Sequence, residues 1–445
     1  MKSRLLLHSL LLGSLAFSAT PLQVAAQTEK PAHARYSVID LGTLGGDGTN
    51  SSAYDMNQAG WVAGSSNLTA GGPQHAFLWF GGNPLFDLGT LGGPNSEANG
   101  PNAWGEAALV SETANTDPYG ENFCGFGDQF QCLAAIWRNW RLTPLPTLPG
   151  GNNAQAYGLN DLGQVVGFSE NGVHDPTCAL SIPTQVFRYD AVIWEPGGKI
   201  RKLRPLPGDT VAFAFGINNN GQAVGTSGSC SNTSLPPANV NGAHAVLWEK
   251  DGTPFDLGNL GGVPGNIAGN INNRGDVAGT SAFPDGTVHS YLWTKAKGMR
   301  DLGGLPGAVI TVAPCCNTIN DENEIVGLWL DDMFNVSAFR WKDGVMRDLN
   351  DLIGKDSPWQ LLFAQSLNNA GEIVGQGVIN GELHAFLAVP CDGNHTGVAF
   401  CDDVTGATDD EVVTSRPRTA LPESIRQQIR QQLRFVQFGP AARKP

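Results

Sequence analysis

Ten residues invite a chemical reading: Asp117, Tyr119, Glu121, Asp128, His174, Asp175, Asp285, His289, Asp331 and Asp332. All lie in or beside polar segments between apolar runs. Several carboxylate oxygens gathered at one place would suit calcium, and a carboxylate pair, or a His beside a carboxylate, would suit acid-base catalysis. Neither use carries its sequence signature. There is no EF-hand loop, no G-x-S-x-G elbow, no H-E-x-x-H and no G-x-x-x-x-G-K-[ST] phosphate loop. The expectation is therefore a candidate ligand face without assigned catalytic residues and without a cofactor, calcium being the one ion to keep in view.

Eight cysteines form a second set. Cys124 and Cys132 are close in sequence, Cys315 and Cys316 adjoin, Cys391 and Cys401 bracket a short loop, and Cys178 and Cys230 are left to each other. No CxxC pair or Cys/His cluster with zinc spacing is present, so disulfides are expected. A vicinal Cys315–Cys316 bond and a pair of free thiols both remain open.

The elements that position these residues follow from an internal repeat. A Leu in an extended segment recurs at Leu41, Leu88, Leu145, Leu203, Leu257, Leu302 and Leu349, followed by a Gly-rich turn such as "DLGTLGG". Then comes Asn-x-x-Gly, with Asn57, Asn102, Asn160, Asn218, Asn272, Asn320 and Asn368 three residues ahead of Gly60, Gly105, Gly163, Gly221, Gly275, Asn323 and Gly371. Asn is the usual substitute for Gly at positive φ, so Asn323 marks a turn position. The Asn residues read as hairpin chemistry rather than catalysis.

A strand closing in Trp completes the unit, as in "HAFLW" at His75 to Trp79, with Trp137, Trp194, Trp248, Trp293 and Trp341 at the equivalent place and Ala388 in the last copy. Such regularity predicts core, not an exposed platform. Four short strands per unit predict an all-β chain: a seven-bladed β-propeller of four-stranded antiparallel blades over residues 35–390. The chain enters on "RYSVIDLG" and its last unit lacks a fourth strand, so the N-terminal strand is expected to close the ring and remove both sheet edges. An open solenoid is the alternative.

The phrases "HAFLW", "DLGTLGG" and "INNNGQAVG" together resemble the HAF-repeat family, bacterial repeat proteins described as extracellular. The resemblance spans Tyr36 to about Pro390 and implies secretion and repeat architecture. It supplies no reaction and no catalytic residues. The second unit departs most, with Leu109 where other units have Gly and Leu133 where several have His.

In a propeller the loops joining second to third strands share one face. Here they expand to Ser111–Cys132, Ser169–Asp190 and Thr226–Ala243, whereas opposite turns such as "NQAG" and "EKDGT" are short. Long loops on a rigid scaffold concentrate function. The expected role is a binding scaffold whose long-loop face takes a protein, glycan or peptide. The rivals are an extracellular hydrolase or lyase acting on a polysaccharide or similar polymer at the channel mouth, and a purely structural surface protein.

The ends and the charge complete the expectation. Lys2 and Arg4, the apolar Leu5–Phe17 run and Val24-Ala25-Ala26 read as a signal peptide over residues 1–26, which implies a secreted, extracellular or periplasmic protein. Residues 27–34 read as a linker, 391–419 as a Cys-bracketed loop and acidic linker, and 420–445 as an amphipathic helix and tail in which Ile425, Ile429 and Leu433 share a face. That helix could pack on the propeller or dock elsewhere. A net charge of -14 with no Lys/Arg cluster argues against nucleic acid as a partner, and no segment after the signal is apolar enough to span a membrane.

Overall fold

The computed structural model describes residues 36–82, 84–180, 184–231, 243–262, 265–285, 287–314, 317–333, 335–354, 356–392, 401 and 421–434. The expected signal peptide, both linkers, Cys315, Cys316 and most of the Thr226–Ala243 loop lie outside them.

The fold is all-β, built of antiparallel sheets taken in chain order. The first holds Ser51–Met56, Val62–Asn67, Gln74–Trp79 and Phe86–Gly89; the second Gly92–Asn99, Ala107–Thr116, Phe130–Arg138 and Arg141–Pro144. The third holds Ala154–Leu159, Val165–His174, Phe187–Trp194 and Ile200–Lys202; the fourth Val211–Ile217, Ala223–Gly228, His244–Trp248 and Pro254–Asp256. Next come two four-strand groups, Ile267–Ile271 to Gly298–Asp301 and Ala308–Val312 to Val345–Asp348, joined into one eight-stranded sheet by a single parallel pair, Val288 with Ile310. The last sheet contains Gln360–Leu367, Ile373–Ile379 and Glu382–Pro390, with Tyr36–Gly42 paired antiparallel to Glu382–Pro390.

From the first group to the fifth the first strands of neighbours pack on one another, and Ser51–Met56 also packs on Gln360–Leu367 of the last sheet. Apolar side chains fill each junction. The six repeated Trp residues fall into six separate core clusters, each packed on the preceding sheet: Trp79 meets Val374 and Leu387, Trp137 meets Leu78, and Trp194 meets Ile136. All six are buried, so the repeated Trp is core, as expected.

The missing Gly of the second sheet has a geometric cause. The other six first strands are bulged, and in five of them the Gly opposite (Gly64, Gly167, Gly225, Gly279 or Gly375) lies so close that an added Cβ would stand 1.8–2.0 Å from a backbone oxygen. In the second sheet Ala98 faces Leu109 in unbroken register from Ser96 to Asn99, which leaves room for a side chain.

The repeated Asn does more than shape its own turn. In all seven copies its Oδ1 accepts from the backbone N–H two and four residues on. In six copies its Nδ2 donates to the carbonyl of the next Asn: 57 to 102, 102 to 160, 160 to 218, 218 to 272, 272 to 320 and 320 to 368, at 2.9–3.3 Å. A parallel series ties the following residues together and ends with the Asn369 N–H donating to Gln58 Oε1 at 2.9 Å. Neighbouring sheets are thus laced at their turn ends by buried amide hydrogen bonds in addition to apolar packing.

Glu423–Arg434 is the one α-helix among the described residues. Ile425 and Ile429 are buried against Val288, Ile310, Leu330, Val336, Leu362, Val378 and Leu383, and Asn50 Nδ2 donates to Gln428 Oε1 at 3.1 Å. The amphipathic helix therefore packs on the sheets, at the same ends as the loops joining second to third strands. Among the described residues no helix is long and apolar enough to cross a membrane.

Candidate functional site

The long loops of the second and third sheets meet around Asn153, which follows the "LPGG" turn and precedes the Ala154–Leu159 strand. Its Nδ2 donates to Asp117 Oδ2 at 2.8 Å and to Glu121 Oε2 and Glu170 Oε2 at 3.2 Å each. Asp117 also caps its own turn, accepting from the N–H groups of Tyr119 and Glu121 at 2.8 and 3.0 Å. Glu170 accepts from the N–H groups of Asn152 and Asn153 and from Gln185 Nε2, and Glu121 accepts from the Val186 N–H.

Glu121 and Glu170 are only 1% and 0% exposed. Burial, reinforced by the Glu170 charge, pushes the Glu121 carboxyl up to about 9, and burial raises Glu170 as well. Two carboxyl groups this deeply buried and this close disfavour ionising together. A second pair repeats the theme: Asn95 Nδ2 bridges Glu112 Oε2 and Asp128 Oδ2 at 2.9 and 3.2 Å, and burial with the Asp128 hydrogen bond lifts Glu112 to about 8.

Two disulfides lie beside these pairs. Cys124–Cys132 closes a loop within the second sheet, and Cys178–Cys230 joins loops of the third and fourth; Cys391–Cys401 is the third bond. Under them Phe123, Phe168, Tyr189, Phe213 and Phe215 form an apolar core with the cysteines. Tyr119 stands 53% exposed with its ring edge-on to Phe187, centroids 4.9 Å apart.

The remaining sequence candidates do not converge with this cluster. Asp175 binds Thr177 and Arg188 Nε (2.7 Å), and the Thr177 hydroxyl, with Arg188, holds its carboxyl below the usual range. His174 is exposed at the end of its strand. Asp285 bonds Thr287, and Asp331 caps its own turn through Met333 and Asn335, while Asp332 is exposed. His289 pairs through Nδ1 with Asp301 at 3.0 Å, one of four such pairs with His75–Asp87, His244–Asp209 and His384–Asp40. The recurrent His is thus a strand-anchoring group.

A calcium ion needs six to eight oxygens. The oxygens of Asp117, Glu121 and Glu170 accept from amide and backbone donors. Among the described residues the one three-group convergence of metal-ligating types is Asp175 with Cys178 and Cys230, whose sulfurs are bonded to each other.

Glu112 and Glu170 were absent from the sequence candidates. Each follows a Ser of a second strand, at the place held elsewhere by Asn67, Gly228 and Ala282, and the strand runs on past it to Thr116 or His174, so the signal was a variable position inside a fixed phrase.

No family model matches the chain, and no curated protein matches it. Among solved structures it is similar to a puromycin-hydrolyzing peptidase of Mycobacterium tuberculosis, at 13% identity and a TM-score of 0.51 over 82% of this chain and 55% of that one. A puromycin hydrolase aligns at 15% identity and a TM-score of 0.48, over 88% and 57%, and a streptogramin B lyase at 10% and 0.42, over 80% and 98%. The chain spans little more than half the length of the two hydrolases. The structural neighbours are β-propellers, and at this identity the likeness concerns the fold alone.

Proposed function

We propose that this chain is a secreted seven-bladed propeller of the HAF-repeat kind, and that the face carrying the long loops of the second to fourth blades is its ligand-binding platform. Seven groups of four strands support the blade count. Closure is supported by the pairing of Tyr36–Gly42 with Glu382–Pro390, and by the bonds from Ser366 Oγ to Asp55 and from Asn369 to Gln58. Three disulfides and the basic-apolar N-terminal segment support an oxidising compartment.

The observation that carries the binding reading is the Asn153 clamp. It fastens two long loops to each other through buried carboxyl groups, so that Tyr119 is presented on a preorganised surface. The C-terminal helix occupies the equivalent ends of the later sheets, which confines the platform to the second to fourth blades.

The rival, a hydrolase or lyase on an extracellular polymer, would draw on the same carboxyl groups. Against it stands their burial: a proton donor at 0–1% exposure reaches no substrate.

The test is a thermal-shift screen of the chain from Gln27 to Pro445 against calcium, cell-wall and plant oligosaccharides and peptide pools. A ligand at one hundred times its Kd adds about 2.7 kcal/mol, and the shift should vanish when the Ser111–Cys132 loop is shortened. A shift that survives the shortening, or polymer turnover abolished by Glu121→Gln, would overturn the reading.

A further inference from the structure

Of the four His–Asp pairs at the starts of third strands, one differs in kind. His75, His244 and His289 each meet a single carboxyl group, on Asp87, Asp209 and Asp301, through Nδ1. A neutral imidazole with its proton on Nδ1 satisfies such a contact. His384 lies between two carboxyl groups: its Nδ1 is 3.0 Å from both oxygens of Asp40, and its Nε2 is 3.4 Å from Glu382 Oε2. A neutral ring has one N–H and one lone pair, so it must turn the lone pair towards one carboxylate or the other. Only the imidazolium offers a proton to both.

The surroundings hold the three groups in place. Glu382 Oε1 accepts from the Gly48 N–H at 3.0 Å, Asp40 Oδ1 accepts from the Gly42 N–H at 2.8 Å, and His384 Nε2 is buried. No further ionic partner stands beside them among the described residues. The residue opposite His384 on the neighbouring strand is Gly377, and Arg426 of the helix that packs on Leu383 pairs with Glu423. The Asp40 hydrogen bond raises His384 above the ordinary histidine range against the pull of burial, and Glu382 adds to the rise. At Asp40 burial is outweighed by His384 and the Gly42 N–H, which hold its carboxyl below the usual range.

This cluster sits where the chain closes its last sheet. His75 and His289 reach an Asp on the fourth strand of their own sheet, twelve residues away. Asp40 instead belongs to Tyr36–Gly42, which comes from the other end of the chain. The two ends of that strand are fastened differently. Tyr36 is buried among Leu349, Leu352 and Ile353, with the Arg340 guanidinium 5.9 Å from its ring centre. At the other end the register slips between Asp40 and Gly42, and the Gly42 carbonyl accepts from Ser51 Oγ of the first sheet, whose oxygen accepts from the Ala385 N–H. The first fastening is apolar and stacking; the second is ionic and can titrate.

We propose that His384 is a proton-operated clasp on the N-terminal strand, closed while the imidazolium bridges Asp40 and Glu382 and loosened at the Asp40 end when the proton leaves. A histidine raised in the folded state adds a hold that is complete below its ordinary value of 6.5 and is lost as pH rises through the folded value. Asp40, lowered in the folded state, gives up its share only in acid below its ordinary value of 3.8. The clasp is therefore tightest on the acid side of neutrality.

The experiment is hydrogen exchange of the chain from Gln27 to Pro445, read by mass spectrometry on fragments covering Tyr36–Gly42 between about pH 5.5 and about pH 8.5, with the intrinsic rate divided out. Protection is expected to fall about tenfold as pH rises, both in the unaltered chain and in His75→Gln, and to lose its pH dependence in His384→Gln. Proton NMR of the His384 ring supplies a readout that packing alone would not move: its titration midpoint should fall in Glu382→Gln, a variant that keeps the shape of the site. Protection that still falls with pH in His384→Gln overturns the proposal, as does a midpoint that Glu382→Gln leaves in place. Equal loss of the dependence in His75→Gln would also overturn it, by making the effect common to all the His–Asp pairs.

Discussion

The two ends of the sheets are held by different means. At the turn end one device is repeated: an Asn closes its own turn and donates to the next, six times over, and the Trp junctions keep the same step. At the loop end each contact is singular. The Asn153 clamp on Asp117, Glu121 and Glu170, the Asn95 bridge from Glu112 to Asp128 and a disulfide across two sheets belong to this end alone among the described residues. Repetition builds the frame, and the loop end departs from it.

The contrast can be broken at either end. Trp194→Ala should cost most, about 4 kcal/mol, because it opens a cavity in a junction and strips the Pro146 carbonyl of the indole N–H that reaches it at 2.8 Å; chemical denaturation measures the loss. Replacing Cys178 and Cys230 together by Ala should cost roughly 2–4 kcal/mol through the cross-link spanning 52 residues. The turn-end hydrogen bonds should survive it, which hydrogen exchange at Asn218 and Asn272 would show.

Asn218→Ala should cost about 2 kcal/mol, since two turn N–H groups and the Asn272 carbonyl lose a buried partner together. A cost near zero would mean that apolar packing alone joins the sheets.

The smallest effect is a pH dependence confined to the loop end. Glu112 and Glu121 titrate near 8 and 9 in the folded chain, against 4.5 when free. The folded state therefore binds more protons, so its added stability is complete below about pH 4.5 and is lost as pH rises through 8 to 9. Melting temperature should fall from pH 6 to pH 9, and Glu121→Gln, which needs no proton, should flatten part of that fall. An equal fall in both proteins would place the titrating groups elsewhere.

Sequence legibility followed the same division. The Leu, Asn, Gly and Trp landmarks announced four strands per unit because each governs neighbours within a few residues. The lateral use of the Asn side chain was hidden, since its acceptor lies 45–58 residues away in the next sheet. Leu109 was visible as a departure, but its cause, an unbulged partner strand, required the register. At the loop end Asp117, Glu121 and Asp128 could be nominated by type and loop length, while Glu112 and Glu170, also inside the expected loops, lie within strands that run on to Thr116 and His174, and only the fold shows what they face. For the helix, the spacing of Ile425 and Ile429 gave an apolar face without saying what covers it.

The strand Tyr36–Gly42 finds its antiparallel partner in Glu382–Pro390, and Asp40 meets His384 across 344 residues of chain. A chain made N-terminus first carries that strand without its antiparallel neighbour until Glu382–Pro390 has followed it, more than three hundred residues later. Its exposed edge is the part of the growing chain most open to mispairing, and the last sheet can zip only after every other sheet has been made.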